Sequence, residues 1–147
     1  MIMKKYDCLK LENQLCFPLY AASREILRMY TPLLKEIDLT YTQYIVMMVM
    51  WEKKTVTVGE IGKMLYLDTG TLSPLLKSME KKSLIKRQRN SLDERIVEIS
   101  ITEEGENLKE KAASIPQKIG SCLKITKEEA ETLYKILYEI IDSGEKK

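Results

Sequence analysis

A mainly α-helical fold carrying one small β-hairpin is what this sequence predicts, on three observations. Apolar residues recur at helical spacing over most of the chain. Three Thr-x-x-Glu/Gln signatures mark helix starts. One short stretch, "IVEISIT" at residues 96–102, changes to strict alternation, with Val97, Ile99 and Ile101 on one face and Glu98 and Ser100 on the other.

The elements follow in order. Thr40-x-x-Gln43, Thr57-x-x-Glu60 and Thr126-x-x-Glu129 fit the capping box, in which hydroxyl and carboxyl or amide satisfy each other's orphan backbone donors. Helices are predicted at about 11–35, 41–52, 58–65, 69–82, 103–122 and 127–142. "YIVMMVMW" is apolar on every side, so periodicity cannot choose between helix and strand; the Thr40 cap favours a buried helix. Leu72, Leu75, Leu76 and Met79 form a core-facing stripe that leaves Thr71, Ser73, Lys77, Ser78, Lys81 and Lys82 outward. Pro74 would be costly deep in a helix, so regular helix is expected to begin near Thr71 or to bend there. Leu133, Ile136, Leu137, Ile140 and Ile141 repeat the apolar stripe near the C-terminus. "LIKRQR" can pair with "IVEISIT" as an antiparallel hairpin through "NSLDER".

Helix, turn, helix and basic hairpin in that order make a winged helix-turn-helix, which offers a helix to the major groove and an arginine-bearing hairpin to the neighbouring minor groove. Charge supports it. From Lys77 to Arg95 seven basic residues face three acidic ones, a net +4 in nineteen residues; with +2 for the whole chain, the rest carries −2. That concentration points to double-stranded DNA. A chain of 147 residues with 44% apolar content suits a single domain, 1–147. In it, 39–102 form the winged lobe and the flanks 1–38 and 103–147 are expected to pair with a second copy. A homodimer would set two reading helices one DNA turn apart on a palindromic operator.

Much chemistry is excluded. Without histidine there is no Ser-His-Asp or Cys-His nucleophile pair and no His-ligated metal. Cys8, Cys16 and Cys122 lack C-x-x-C spacing, and no glycine-rich phosphate-binding motif occurs. No cofactor or metal is therefore expected, and an enzyme, which is not the expected function, would have to work with thiols, carboxylates or lysines alone. No apolar run approaches a membrane span and no secretory signal is present, which implies a cytoplasmic protein with reduced thiols.

Cys16 is the residue with chemical potential. Tyr20 follows it by one helical turn, which puts a phenol donor within reach of the sulfur and favours the thiolate. Pro18 lacks the N–H that would bond the Gln14 carbonyl, so the first helix should kink or restart there; a restart with Pro18 in the first turn sets Cys16 at the positive end of the helix dipole. An inert apolar cysteine remains the alternative. Cys8 reads as incidental.

"LENQLCFPLYAASREI", "LTYTQYIVMMVMWE", "LYLDTGTLSPLLKSMEKKSLIKRQRNSLDERIVEISIT" and "KEKAASIP" together resemble the MarR family of dimeric winged-helix regulators. Within it they are similar to the OhrR branch, repressors that sense organic hydroperoxides through a cysteine. The resemblance implies that Cys16 is the peroxide-reactive thiol, with Tyr20, Tyr30 and Tyr41 around it, the last two from the partner subunit. It implies a recognition helix bearing Thr69, Thr71, Ser73, Pro74 and Lys77, and a wing bearing Asp93 and Arg95, the arginine entering the minor groove. Lys81, Lys82, Arg87 and Arg89 are expected on phosphates. Cys122 lies near the place where some members carry a resolving cysteine; others cap the oxidised thiol with a low-molecular-weight thiol. The implied function is a repressor that leaves its operator when Cys16 is oxidised. The alternatives are a regulator that binds a small aromatic ligand and, from another class, a thiol peroxidase.

Overall fold

A computed structural model of the chain describes residues 4–145. Two 3₁₀ turns, Asp7–Leu9 and Leu11–Asn13, precede helix α1 (Cys16–Lys35). The helix expected from about residue 11 thus begins five residues later. Gln14 is extended, and its side-chain amide donates to the carbonyls of Cys8 and Lys10 at 2.6 and 2.9 Å, which holds the segment before Leu15 in turns. Pro18 then falls in the first turn of α1, where its missing N–H costs nothing. Pro32 sits inside the last turn of the same helix without breaking it.

Helix α2 (Tyr41–Lys53) starts on a complete capping box between Thr40 and Gln43. It buries Tyr44, Val46, Met47, Val49, Met50 and Trp51, so the all-round apolar run is a central core helix. A three-residue strand that sequence reading missed, β1 (Thr55–Thr57), follows at once. Thr57 ends it and also caps helix α3 (Val58–Leu65) through a capping box with Glu60.

Helix α4 spans Thr69–Lys81 with Asp68 as N-cap, its carboxylate accepting from the Thr71 N–H at 2.7 Å. Its start at Thr69 is the one predicted, but Pro74 lies beyond the first turn of an unbroken helix, so the later start or bend expected near Thr71 does not occur. That cap anchors the first turn firmly enough for the second to forgo the bond to Gly70. Leu72, Leu76 and Met79 are buried beneath it.

Strands β2 (Ile85–Arg89) and β3 (Val97–Ile101) form the predicted hairpin, in register Ile85 to Ile101 and Arg89 to Val97. β1 pairs antiparallel with β3, giving the order β1-β3-β2. Helix α5 (Glu103–Ala112) is capped by Thr102. Its Gly105 carbonyl accepts from Trp51 Nε1 at 2.8 Å, and a Cβ there would lie 2.3 Å from the Leu84 carbonyl oxygen, so only glycine fits.

The single helix expected over 103–122 is two. α6 (Ile115–Cys122) restarts after a turn at Ala113 and Ser114, because Pro116 has no N–H for the Ala112 carbonyl and is accommodated in the first turn of a new helix. The chain resolves into two compact units, Met1–Ile115 and Pro116–Lys147. The core of the first is built from Leu34, Tyr44, Met47, Met50, Ile61, Leu72, Leu76, Met79, Ile85 and Ile99, all essentially inaccessible. Each such side chain contributes about 1.5–3 kcal/mol on burial. The second carries α7 (Lys127–Glu145), capped at Thr126 as predicted, with Leu133, Ile136 and Ile140 exposed. Among the described residues no helix is long and apolar enough to cross a membrane.

Candidate nucleic-acid interface and thiol site

α4 presents one exposed face. Thr69, Ser73, Lys77 and Lys81 follow one another at i, i+4 along it, with Thr71 and Pro74 beside them, all exposed. The Thr71 hydroxyl donates to Asp68 Oδ2 at 3.2 Å, so its oxygen remains free as an acceptor. These six residues are brought together as the sequence predicts.

The wing is stitched at its tip. Asn90 Oδ1 accepts from the N–H groups of Leu92 and Asp93 at 2.8 and 3.2 Å, and its side-chain amide donates to Glu98 at 3.1 Å. Asp93 accepts the Arg95 backbone N–H and Nε, both at 3.1 Å. Arg95 is held in direction yet its side chain is 92% exposed, the geometry of an arginine presented to a groove. Arg89 is exposed beside it. A cleft of about 390 Å³ lies between the start of α3 (Val58, Gly59), Thr69 and Ser73 of α4, and Arg87 and Arg95 of the wing. The helix N-terminus and the exposed Arg95 in this lining suit a phosphate.

Two predicted phosphate contacts are engaged elsewhere. Arg87 is half-buried, its Nε donating to Glu80 Oε2 at 2.9 Å. The sequence reads Lys82 as outward-facing, but the structure turns it inward, where Nζ donates to the Asp38 carbonyl and to Gln43 Oε1. Asp68, Glu80 and Gln43 were not among the candidates. Aspartate ahead of T-G-T is a readable cap signal; no spacing rule would have paired Glu80 with Arg87.

Cys16 is the first residue of α1 and is exposed, with no side-chain cap on that helix end. The N–H groups of Cys16 and Phe17 are therefore orphan donors, and Pro18 supplies none. Tyr20 stands one turn on, 60% exposed, with Arg24 over its ring. Tyr30 and Tyr41 are half-buried and meet edge to face at 5.0 Å, with Tyr44 packed 5.8 Å from Tyr30. Burial, and then Tyr41, pushes the Tyr30 phenol above its ordinary range, so it stays a hydrogen-bond donor at physiological pH. One chain does not join these halves: fourteen helical residues put Tyr30 about 21 Å along α1 from Cys16. Cys122 ends α6, exposed, and Cys8 is exposed in the first turn.

Comparison with known proteins bears on both sites. Residues 28–112 match the family described as transcriptional regulator SarA/Rot. The chain is 49% identical over 139 residues to the organic hydroperoxide resistance transcriptional regulator of Bacillus subtilis, covering 95% of each. Its structure superposes on AbfR of Staphylococcus epidermidis with a TM-score of 0.73 at 33% identity, over 97% and 99% of the two chains. For reduced AbfR bound to DNA the TM-score is 0.78 at 33% identity, over 95% and 98%. The reduced form of MarR from E. coli, 24% identical, shares the fold at a TM-score of 0.70 over 86% and 96%. The chain belongs to the transcriptional regulator family SarA/Rot, counts the organic hydroperoxide resistance transcriptional regulator among its relatives, and has the fold of MarR.

Proposed function

We propose that this protein is a homodimeric, DNA-binding repressor that senses organic hydroperoxides through Cys16 and acts in the cytoplasm, with no enzymatic turnover of its own. The near full-length identity to the organic hydroperoxide resistance regulator carries the reading. The α4 face of Thr69, Thr71, Ser73, Pro74, Lys77 and Lys81 supports it as the base-reading surface. Arg95, steered by Asp93, enters the minor groove, and Arg89 meets phosphate. Exposed Phe17, Leu19 and Leu27 on α1, and Leu133, Ile136 and Ile140 on α7, are apolar faces that a second copy covers.

In the sensing step the Cys16 thiolate attacks the distal oxygen of the hydroperoxide. The O–O bond breaks, and the distal OH passes to sulfur so that Cys16 becomes a sulfenic acid. The alkoxide takes a proton from solvent, replacing the one the thiol released, and leaves as alcohol. Tyr20 of the same chain, and Tyr30 and Tyr41 of the partner, surround the sulfur. The Cys122 thiol then attacks the sulfenic sulfur, water leaves, and a disulfide forms. The new bond repacks the flanking helices, half-site spacing changes, and the operator is released.

Operator binding before and after one equivalent of cumene hydroperoxide, in wild type and Cys16→Ser, tests it. Release in wild type alone is expected. Sustained peroxide consumption would mean a peroxidase. Release of both proteins by an aromatic acid, with none by peroxide, would mean a ligand-gated regulator.

A further inference from the structure

Gln43 is a buried polar side chain in an otherwise apolar core, 4% exposed. Its Oε1 accepts from the Thr40 N–H at 3.1 Å and from Lys82 Nζ at 3.2 Å, and its Nε2 meets Ser78 Oγ at 3.2 Å. One amide therefore closes the cap of α2 and holds both Ser78 of α4 and Lys82, its C-cap. Lys82 is equally committed. Its ammonium has three donors and three acceptors before it: the Asp38 carbonyl, Gln43 Oε1, and Asp38 Oδ2 at 3.4 Å. Asp38 itself sits at φ 52°, a left-handed conformation that turns the chain from α1 towards α2. A lysine in a basic run would ordinarily extend into water; this one is only 29% exposed.

We infer that Gln43, Ser78 and Lys82 are positioning residues for DNA reading: a polar latch fixing the C-terminal end of α4 to the α1–α2 corner, with Lys82 serving the latch and not a phosphate. Ser78 and Lys82 are four residues apart, on one row of the helix, so two tethers on that row set both the rotation of α4 about its axis and its height. Thr69 lies thirteen residues from Lys82, about 20 Å along the axis, so a tilt of about 5° at the latch moves the base-reading end by about 1.7 Å. That exceeds what a direct hydrogen bond to a base tolerates. The inference rests on the DNA-reading half of the proposed function and is independent of its redox half.

The test is the salt dependence of operator binding by full-length, reduced Lys82→Met. A lost phosphate contact lowers the slope of log affinity against log salt by about 0.9 for each phosphate, as Lys77→Met should. A lost latch leaves the slope and non-specific duplex affinity unchanged and weakens operator affinity by about tenfold. Ser78→Ala should act in the same direction, less than additively with Lys82→Met, and carries the test if Lys82→Met does not fold. Lys82→Arg, which keeps the donors, should restore operator affinity. Without DNA, the last-turn amides of α4 should exchange faster in Lys82→Met. A reduced salt slope, or full operator affinity, in Lys82→Met overturns the latch. Faster exchange combined with no salt-dependent DNA binding by wild type would leave a purely structural tie, overturning the positioning role and the DNA-reading function together.

Discussion

Glu80 of α4 accepts twice from Arg87 of β2, from its backbone N–H at 3.0 Å and from its Nε at 2.9 Å. The root of the wing is thereby fixed to α4, the helix proposed to read DNA. Arg87 is a brace between α4 and β2, and its guanidinium is partly neutralised by Glu80.

Those two bonds hold the Glu80 carboxyl below its ordinary value near 4.5, the backbone N–H contributing most and the guanidinium next. A depressed folded-state value means that the unfolded chain binds the proton more tightly. The brace thus contributes in full above the ordinary carboxylate range and is lost as pH falls through the depressed value. Glu80→Gln should be less stable than wild type at pH 7, with the two urea midpoints converging on acidification. A gap that stays constant with pH would mean that the charge on Glu80 is irrelevant.

Arg95→Ala should weaken operator binding by roughly 1–3 kcal/mol, the range for a good specific contact. Its guanidinium is exposed and aimed by Asp93, so stability should not change. Asp93→Ala should give a smaller loss, since the arginine then searches for its direction. Equal affinity of Arg95→Ala and wild type in fluorescence anisotropy would remove the wing from recognition.

The caps at Thr40, Thr57 and Thr126, the buried α2 run, the hairpin and the face of α4 were legible because each rests on local periodicity or a hydrogen bond three residues long. What failed to show has a common cause. β1 exists only because β3 is there to pair with it, and three residues carry no period. The inward turn of Lys82 depends on an acceptor 44 residues away in sequence. Pro116 was visible, but the break it makes was hidden by charged and apolar residues that continue a helical pattern on both sides. At the thiol site Pro18 offered a helix restart that sets Cys16 in a first turn, as the structure has it. Of the tyrosines implied by resemblance, Tyr20 is one turn away, Tyr30 lies far along the same helix and Tyr41 opens α2.

Ser83 leaves α4 at φ 62°, a left-handed backbone that costs a residue with a Cβ about 1–2 kcal/mol. Its side chain is exposed, while its carbonyl accepts from the Thr102 hydroxyl at 2.6 Å and would do so from glycine as well. Ser83→Gly should therefore stabilise the protein by roughly 1 kcal/mol, against the usual entropic cost of glycine. A lower melting temperature would show that the left-handed turn is not strained.

Tyr30→Phe and Tyr41→Phe each remove a hydroxyl and little volume from a ring cluster that stays packed. Operator affinity of the reduced protein should be close to wild type, and Cys16 should oxidise more slowly by stopped-flow. The raised Tyr30 value keeps its phenol protonated, so the effect should be flat between pH 6 and 8. An unchanged oxidation rate in both variants would reduce the cluster to packing.

In the proposed mechanism Cys122 resolves the oxidised Cys16. It ends α6 in the open, as does Cys8 in the first turn, so neither is shielded from a sulfenic acid. A disulfide needs Cα atoms within roughly 7 Å, which requires the two helix ends to meet, and across a dimer such a meeting would be the switch itself. Peroxide without added thiol should therefore convert wild type to a covalent dimer on non-reducing gels. The band should disappear in Cys122→Ser and in Cys16→Ser but survive in Cys8→Ser. Operator release by Cys122→Ser should then depend on an added low-molecular-weight thiol, because its sulfenic acid has no partner in the protein. A wild-type band that stays monomeric while dimedone traps Cys16 would assign resolution to the small thiol, and the bulk it adds to the sulfur would take the place of the disulfide in moving the helices.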